Sequence, residues 1–396
     1  MNPTTPSSGK SLDPERHASV IQAMHAHNLD LLLCATPASV RLVSGYWPVM
    51  GNSVAAVSRE GAVYAIVPED ERELAQATTA AECIDYQPHT LERLTTAPEA
   101  LLEPLQTLAK RLGSRPRNIG ISVSDAVEPG SYVAHNRMQN FLQPLVEQAF
   151  PNAAFHATKE MLTGLEAVKT PREIAVIRRA CERAAAGFAA APAAIAAGRR
   201  EDEVAADVQA AYERTANQGF ERGFGKFFCM SGPNSVKAAG AYARTRSRVL
   251  EQGDLVMIHA NTTGDGLWTD LTRTYTVGTP SAEHTRMRTA IDEARSAALE
   301  AIAGDVLASR VDQAARDILS NRGFGPAFKH AVGHGVGFAA ADANALPRLH
   351  PKSSDILAVG MTFNIEPAIY LEGIGGMRNC DVIACGSNGA HILSCF

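Results

Sequence analysis

An α/β domain followed by a larger α+β domain is the architecture this sequence predicts, and three observations carry the prediction. The chain has 396 residues, which is more than one ordinary hydrophobic core serves. Helical and strand-like patterns alternate over residues 14–155, as they do where helices cover a central sheet. From residue 160 onward the order changes to two helices followed by strands, and that order occurs twice. The expected organisation is a disordered Pro/Ser/Thr-rich tail at 1–13, a first domain at 14–155 and a second domain at 160–396.

In the first domain Val20, Ile21 and Met24 mark an amphipathic helix ahead of the apolar strand-like run Leu31 to Cys34. Ile119 to Val123 reads as a later strand and Val133 to Phe150 as the helix after it. In the second domain Thr170 and Glu173 form a capping box around Pro171, opening a helix that runs through an Ala-rich stretch towards Ile195. A helix at about Glu201 to Asn217 follows, then strands reaching Val277. Helices at about 281–303 and 310–321 begin the second round, and strands complete it. Such a repeat would be a pseudo-symmetric layout, and pockets favour the seams of such layouts.

Composition narrows the class of function. Apolar residues make up 45% and charged residues 20%, the balance of a globular protein in water. A net charge of −5 with no basic stripe argues against nucleic acid or an anionic membrane as partner. No apolar run approaches the ~20 residues of a membrane span, and Met1 to Pro14 lacks the apolar core of a signal peptide. Seven cysteines without a CxxC pair fit reduced thiols, so the expected compartment is the cytoplasm. Cys34 and Cys229 each follow an apolar run and read as core residues.

Chemistry concentrates in five places. His259 closes a Gly-Asp-led apolar run, Asp270 stands in Thr269-Asp270-Leu271-Thr272-Arg273-Thr274, and His334 lies in Gly333-His334-Gly335-Val336-Gly337. Glu366 follows Phe363-Asn364-Ile365, and Cys380 follows Gly376-Met377-Arg378-Asn379. Each is a short strand-like or Gly-flanked segment that would hold its polar residue on a rigid element. Clustered His, Asp, Glu and Cys point to a metal or to catalysis.

In order, content and spacing these five segments resemble the pita-bread metallopeptidase family, which includes methionine aminopeptidase, aminopeptidase P, prolidase and creatinase. The resemblance spans roughly residues 160 to 396, with a weaker match before it. It implies an α/β N-terminal domain plus an α+β pita-bread C-terminal catalytic domain. In the metal-dependent members the five positions hold Asp, Asp, His, Glu and Glu. Asp270, His334 and Glu366 agree with that pattern, whereas His259 replaces the first Asp and Cys380 the last Glu.

Four carboxylates balance two divalent cations, but Asp270 and Glu366 supply two charges and a Cys380 thiolate a third. The expected cofactor is therefore one divalent transition metal, zinc or iron before manganese, because imidazole and thiolate suit softer ions. Asp270, His334 and Glu366 are its first ligands, and His259 and Cys380 either close the shell or flank a water. A lost site whose residues are held by hydrogen bonds alone is the alternative.

The resemblance also assigns His330 to the substrate side of the cleft, as a proton carrier or hydrogen-bond donor beside Glu366; a buried core histidine is the other reading. Two histidines of the peptidases are absent. One would follow the Gly333 to Gly337 segment, where Phe338-Ala339-Ala340-Ala341-Asp342 stands; the other would lie between Asn234 and Gly253. The latter stretch instead carries Arg244, Arg246 and Arg248 at a period of two, which in a strand would share one face, turned either into solvent, as exposed charges commonly are, or towards an anionic substrate. Arg246 and Arg378 are candidates to hold a substrate carboxylate, with Arg378 also a support for the cleft. Tyr46 and Trp47 are candidate substrate walls across a homodimer, or ordinary core aromatics.

The expected function is metal-dependent hydrolysis of a C–N bond, amide or amidine, in a small polar, carboxylate-bearing molecule, with Glu366 or His330 handling protons, rather than ordinary Xaa-Pro aminopeptidase action. Alternatives are metal-free creatinase-like hydrolysis with a histidine base and Cys380 as nucleophile, Xaa-Pro peptidase activity, a lyase, and a non-catalytic binding protein of the same fold.

Overall fold

Leu31, Leu32, Leu33 and Cys34 are all fully buried, which a four-residue strand achieves only where both faces of its sheet are covered. The computed structural model describes residues 12–49, 53–79, 81–113, 116–122, 142–216, 219–240, 244–339 and 344–396, without the side chains of 97 and 98. It divides into two units, Met1–Leu165 and Glu166–Phe396. Residues 1–11 of the expected tail at 1–13, the start of the helix at 133–141, and Tyr242 and Asp342 lie outside the described residues.

In the first unit the strands are β1 (Leu31–Cys34), β2 (Val54–Ser58), β3 (Val63–Pro68), β4 (Glu82–Tyr86), β5 (Asn118–Ile121) and β6 (Ala154–Ala157). They form one sheet in the order β4-β3-β2-β1-β5-β6. The β1–β2 and β2–β3 pairs are antiparallel and the outer pairs parallel. Helices α1 (Pro14–Ala26), α2 (Pro37–Ser44), α3 (Arg72–Thr78), α4 (Ala97–Leu112), α5 (Leu142–Ala149) and α6 (Lys159–Ala167) alternate with these strands. Leu101, Leu105 and Leu108 of α4 pack with Leu31, Leu33 and Ile66 of the sheet, each such side chain contributing roughly 1.5–3 kcal/mol by its burial.

The second unit opens with α7 (Pro171–Ala194) and α8 (Glu201–Glu213). The α7 capping box forms as expected: the Thr170 hydroxyl accepts from the Glu173 amide at 3.2 Å and the Glu173 carboxylate from the Thr170 amide at 3.0 Å. Strands β7 (Gly223–Ser231), β8 (Leu255–Gly264) and β9 (Leu267–Thr276) follow as an antiparallel sheet, with the one-turn helix α9 (Pro233–Val236) after β7. The second half repeats the order with α10 (Ala282–Glu300), α11 (Ala308–Asn321), β10 (Thr362–Ile365), β11 (Ala368–Leu371), β12 (Gly375–Arg378), β13 (Asp381–Gly386) and β14 (Gly389–Ile392). Met287, Ile291, Val311 and Leu319 of its helices share a core with Phe363 and Ile365 of β10. Among the described residues no helix is long and apolar enough to cross a membrane.

One element departs from expectation. Residues 244–246 form no strand, so period two does not align the arginines. Arg248 is held by Asp254 through bonds of 2.5 and 3.1 Å. Arg246 is exposed, with its backbone amide donating to Glu201 at 2.9 Å.

Candidate metal centre

Register places the first group of polar side chains. In the β8–β9 hairpin His259 lies opposite Thr272, and Asn261 opposite Asp270. Directly opposed residues of an antiparallel pair share a face, as do residues two apart, so these four side chains face the same way. The β12–β13 junction runs beside β9: Thr272 and Cys380 exchange backbone hydrogen bonds of 3.3 and 3.0 Å, which brings Cys380 and Arg378 to the same place.

The second half supplies His334 and Glu366. The His334 segment is wedged between two backbones: a Cβ at Gly333 would lie 2.0 Å from the Asn364 carbonyl oxygen, and one at Gly335 would lie 2.2 Å from that of Leu346. Only glycine fits on either side of this histidine. His334 donates its backbone N–H to Asn364 Oδ1 at 2.7 Å, and the Asn364 amide donates to the His334 carbonyl at 3.0 Å. Glu366 follows β10 directly, its amide bonded to Val332 O at 2.8 Å.

Ligand atoms of Asp270, Glu366 and Cys380, all buried, lie within 4.8 Å of one another. His334 Nε2 is 3.7 Å from Asp270 Oδ2 and 4.0 Å from Glu366 Oε1, and Cys380 Sγ is 3.8 Å from Asp270 Oδ1. The two histidine contacts are too long for hydrogen bonds. A tetrahedral shell with bonds of about 2.0–2.3 Å needs donors about 3.3–3.8 Å apart; the contacts of Asp270 with His334 and Cys380 fall in that range, and the His334–Glu366 distance lies outside it. His334 Nδ1 donates to the Gly335 carbonyl at 3.0 Å, which leaves the lone pair on Nε2, where the neutral Asn364 amide touches it at 3.2 Å. Asp270, Glu366 and Cys380 could together hold a single divalent ion, with His334 Nε2 beside both carboxylates.

Electrostatics agree with that geometry. Burial, and then the Glu366 charge, push the Asp270 carboxyl well above its usual range, and burial followed by Asp270 and Glu366 pushes the Cys380 thiol up. Acids gathered in this way favour a cation among them.

His259 does not fit as a ligand. Its Nδ1 faces Asp270 Oδ1 at 3.6 Å but is met by Arg378 Nη2 at 3.1 Å and Thr272 Oγ1 at 3.0 Å. Burial, and then Arg378, lower its pKa to about 3, so the ring is neutral. Arg378 is likewise corrected as a substrate-carboxylate holder. Its guanidinium is spent inside the cluster, with Nη1 3.5 Å from Glu366 Oε2 and Nε donating to Thr272 Oγ1 at 3.1 Å. Tyr46 has 0% exposure and its hydroxyl bonds to Glu71 within the first unit, so it is a core aromatic and not a substrate wall. Trp47 is half-buried in that unit.

His330 has both ring nitrogens engaged. Nδ1 donates to the Ala331 carbonyl at 2.7 Å, so Nε2 accepts from the Tyr370 hydroxyl at 3.0 Å; burial lowers its pKa and raises that of Tyr370 to about 12. Sequence pattern alone does not single out Thr272 or Tyr370. Thr272 carries a signal, since it stands two residues after Asp270 on a strand; Tyr370 carries none.

Comparison with known proteins bears on the same residues. The sequence profile of metallopeptidase family M24 matches residues 175–387, more than half of the chain, and that of the creatinase/prolidase N-terminal domain matches 16–130. An Xaa-Pro dipeptidase of Pyrococcus furiosus is 28% identical over 380 residues, covering 96% of this chain and 97% of the relative. The crystal structure of a prolidase from Pyrococcus horikoshii superimposes with a TM-score of 0.76 at 26% identity, covering 96% of this chain and 98% of that one. An X-Pro aminopeptidase from Thermotoga maritima superimposes with a TM-score of 0.77 at 23% identity, over 95% and 98% of the two chains, and shares the fold.

Proposed function

Because the chain belongs to metallopeptidase family M24, with a creatinase/prolidase N-terminal domain ahead of it, we propose that it is a metal-dependent hydrolase of C–N bonds. One divalent ion, zinc or iron in preference to manganese, binds Asp270, His334, Glu366 and Cys380 in this reading. The observation that carries it is the close approach of Asp270, Glu366 and Cys380, with His334 Nε2 3.7 Å from Asp270 and 4.0 Å from Glu366. Two carboxylates, one thiolate and one imidazole balance one dication and not two. The second unit is the pita-bread domain of the family.

When bound, a divalent ion polarises a carbonyl and makes water nucleophilic at neutral pH. Glu366, on the rim of the cluster, accepts and returns a proton at its carboxylate. His330 orients the Tyr370 hydroxyl through Nε2, so its part in proton handling runs through Tyr370. Arg246, exposed beyond the Glu201 anchor, replaces Arg378 as the guanidinium offered to a substrate carboxylate. Trp47 is offered as a substrate wall.

The substrate in this reading is a small carboxylate-bearing amide or amidine. Xaa-Pro dipeptides are the rival, favoured by the relative named above. The reading further takes the protein as a cytoplasmic homodimer without nucleic-acid or membrane partners. Metal-replete enzyme is assayed on a panel of Xaa-Pro di- and tripeptides beside small carboxylate-bearing amides, with and without chelator. Chelator-sensitive turnover of the small amides is the expected result. Cleavage of Xaa-Pro peptides with kcat/KM of about 10⁴ M⁻¹s⁻¹ or more would replace the proposed substrate class with the rival one.

A further inference from the structure

Register carries the face of the β7–β8–β9 sheet past the ion cluster. On β7 Phe228 lies opposite His259 and Lys226 opposite Asn261, and on β9 Thr272 and Asp270 complete the same two rows. Directly opposed residues share a face, so Lys226 and Phe228 point to the same side as Asp270. The Phe228 and His259 rings lie 27° from parallel with centroids 6.0 Å apart, and Lys226 Nζ stands 6.0 Å from the Phe228 centroid. Resting on the reading of the substrate as a small carboxylate-bearing amide or amidine, we propose that Lys226 is a specificity-determining residue that holds the substrate's carboxylate, with the Phe228 and His259 rings as the floor on which its planar group lies.

Lys226 is exposed. Its ammonium meets the Phe228 ring and, among the described residues, no carboxylate, so its charge is open to a ligand. The span fits a small molecule. Adjacent strands lie about 4.8 Å apart, which separates the backbones of Lys226 and Asp270 by roughly 10 Å, and the lysine side chain takes up part of that distance. Exposure follows the same line: Asn261 and Thr272 are fully buried, whereas Phe228 keeps 9% and His259 5% of their surface. A ligand arriving from Lys226 therefore meets rings before it meets the polar side chains between them. An uncharged imidazole beside a phenyl ring suits a planar π-system, which gives His259 a part in the site although it does not fit as a ligand. Arg246 belongs to the segment alongside β7, where Thr245 accepts from the Cys229 amide at 3.0 Å. Both cations thus border β7, with Lys226 on the face that carries Asp270.

The test reads binding, not turnover. Full-length wild type, Lys226→Met, Arg246→Met and Phe228→Leu are titrated calorimetrically with β-benzoylpropionate, which has no C–N bond to cleave, and with its uncharged methyl ester; circular dichroism establishes folding. Wild type is expected to prefer the carboxylate about fivefold, the strength of one partly screened ion pair. Lys226→Met is expected to abolish the preference. A preference that survives in Lys226→Met overturns the proposal, as does one lost in Arg246→Met alone, which would assign the carboxylate to Arg246. No preference in wild type overturns both the proposal and the substrate class on which it rests. The expected preference in a protein that turns over no carboxylate-bearing amide overturns the hydrolase reading alone. Phe228→Leu is expected to weaken both probes about threefold through lost stacking without changing the preference, and unchanged binding overturns the floor. Should Phe228→Leu fail to fold, nuclear Overhauser contacts from the phenyl protons of the bound probe to Phe228 in wild type decide, and their absence overturns it equally.

Discussion

Glu201 and Glu366 are both buried glutamates of the second unit, yet their surroundings are opposite. Glu201 accepts from the Ser231 amide and hydroxyl at 2.6 and 2.8 Å, from Asn234 Nδ2 at 2.8 Å and from the Arg246 amide at 2.9 Å. Burial raises its pKa and all of these donors pull it back down. Glu366 instead sits beside Asp270 and Cys380. There burial raises the Asp270 pKa and the neighbouring Glu366 charge raises it further. A buried carboxylate surrounded by donors is a structural tie, whereas buried acids facing one another form a site that stability alone would not assemble.

The comparison breaks most visibly at Glu201. Glu201→Ala leaves buried donors around Ser231 and Asn234 without an acceptor and should cost about 3–4 kcal/mol of stability, read as a lowered urea midpoint. A loss under about 1 kcal/mol would mean that Glu201 ties nothing together. Asp270→Asn should act in the other direction on the metal-free protein. Removing a charge that burial and Glu366 disfavour should stabilise it by about 1 kcal/mol, a rise of a few degrees in Tm, while metal binding and turnover are lost. If the metal-free variant is less stable than wild type, Asp270 serves the fold and the contrast with Glu201 fails.

The smallest effect belongs to a third kind of carboxylate. Asp355 accepts from the Arg348 side chain at 2.9 and 2.6 Å, and the Arg348 guanidinium holds its carboxyl below the usual range. A depressed carboxyl stabilises the fold above its unfolded pKa of about 4 and loses that contribution as pH falls through the folded value. Arg348 is 46% exposed, so water screens the pair to well under about 1 kcal/mol. Arg348→Ala should therefore be slightly less stable than wild type near neutrality, with the gap closing below about pH 4. A gap that persists unchanged in acid would place the effect in packing.

Local pattern by itself determined much of this protein. Thr170, Pro171 and Glu173 announce the start of α7, and the Gly-flanked run around His334 announces a rigid segment. Asp270, His334, Glu366 and Cys380 are identified by motifs that are each a few residues long. These features are legible because caps, turns and strand faces depend on residues close together in the chain. Tertiary structure alone decided the rest. The fate of His259 turns on a 3.1 Å contact with a residue 119 positions away, and no periodicity tells whether an imidazole will meet a metal or a guanidinium. Arg246 and Arg248 part company because an Asp254 carboxylate takes one of them, and Tyr46 is a core residue because Glu71 folds onto its hydroxyl. Sequence names the groups that can do chemistry; which of them keep a lone pair or a charge free depends on ångström-scale neighbours that only the folded chain brings together.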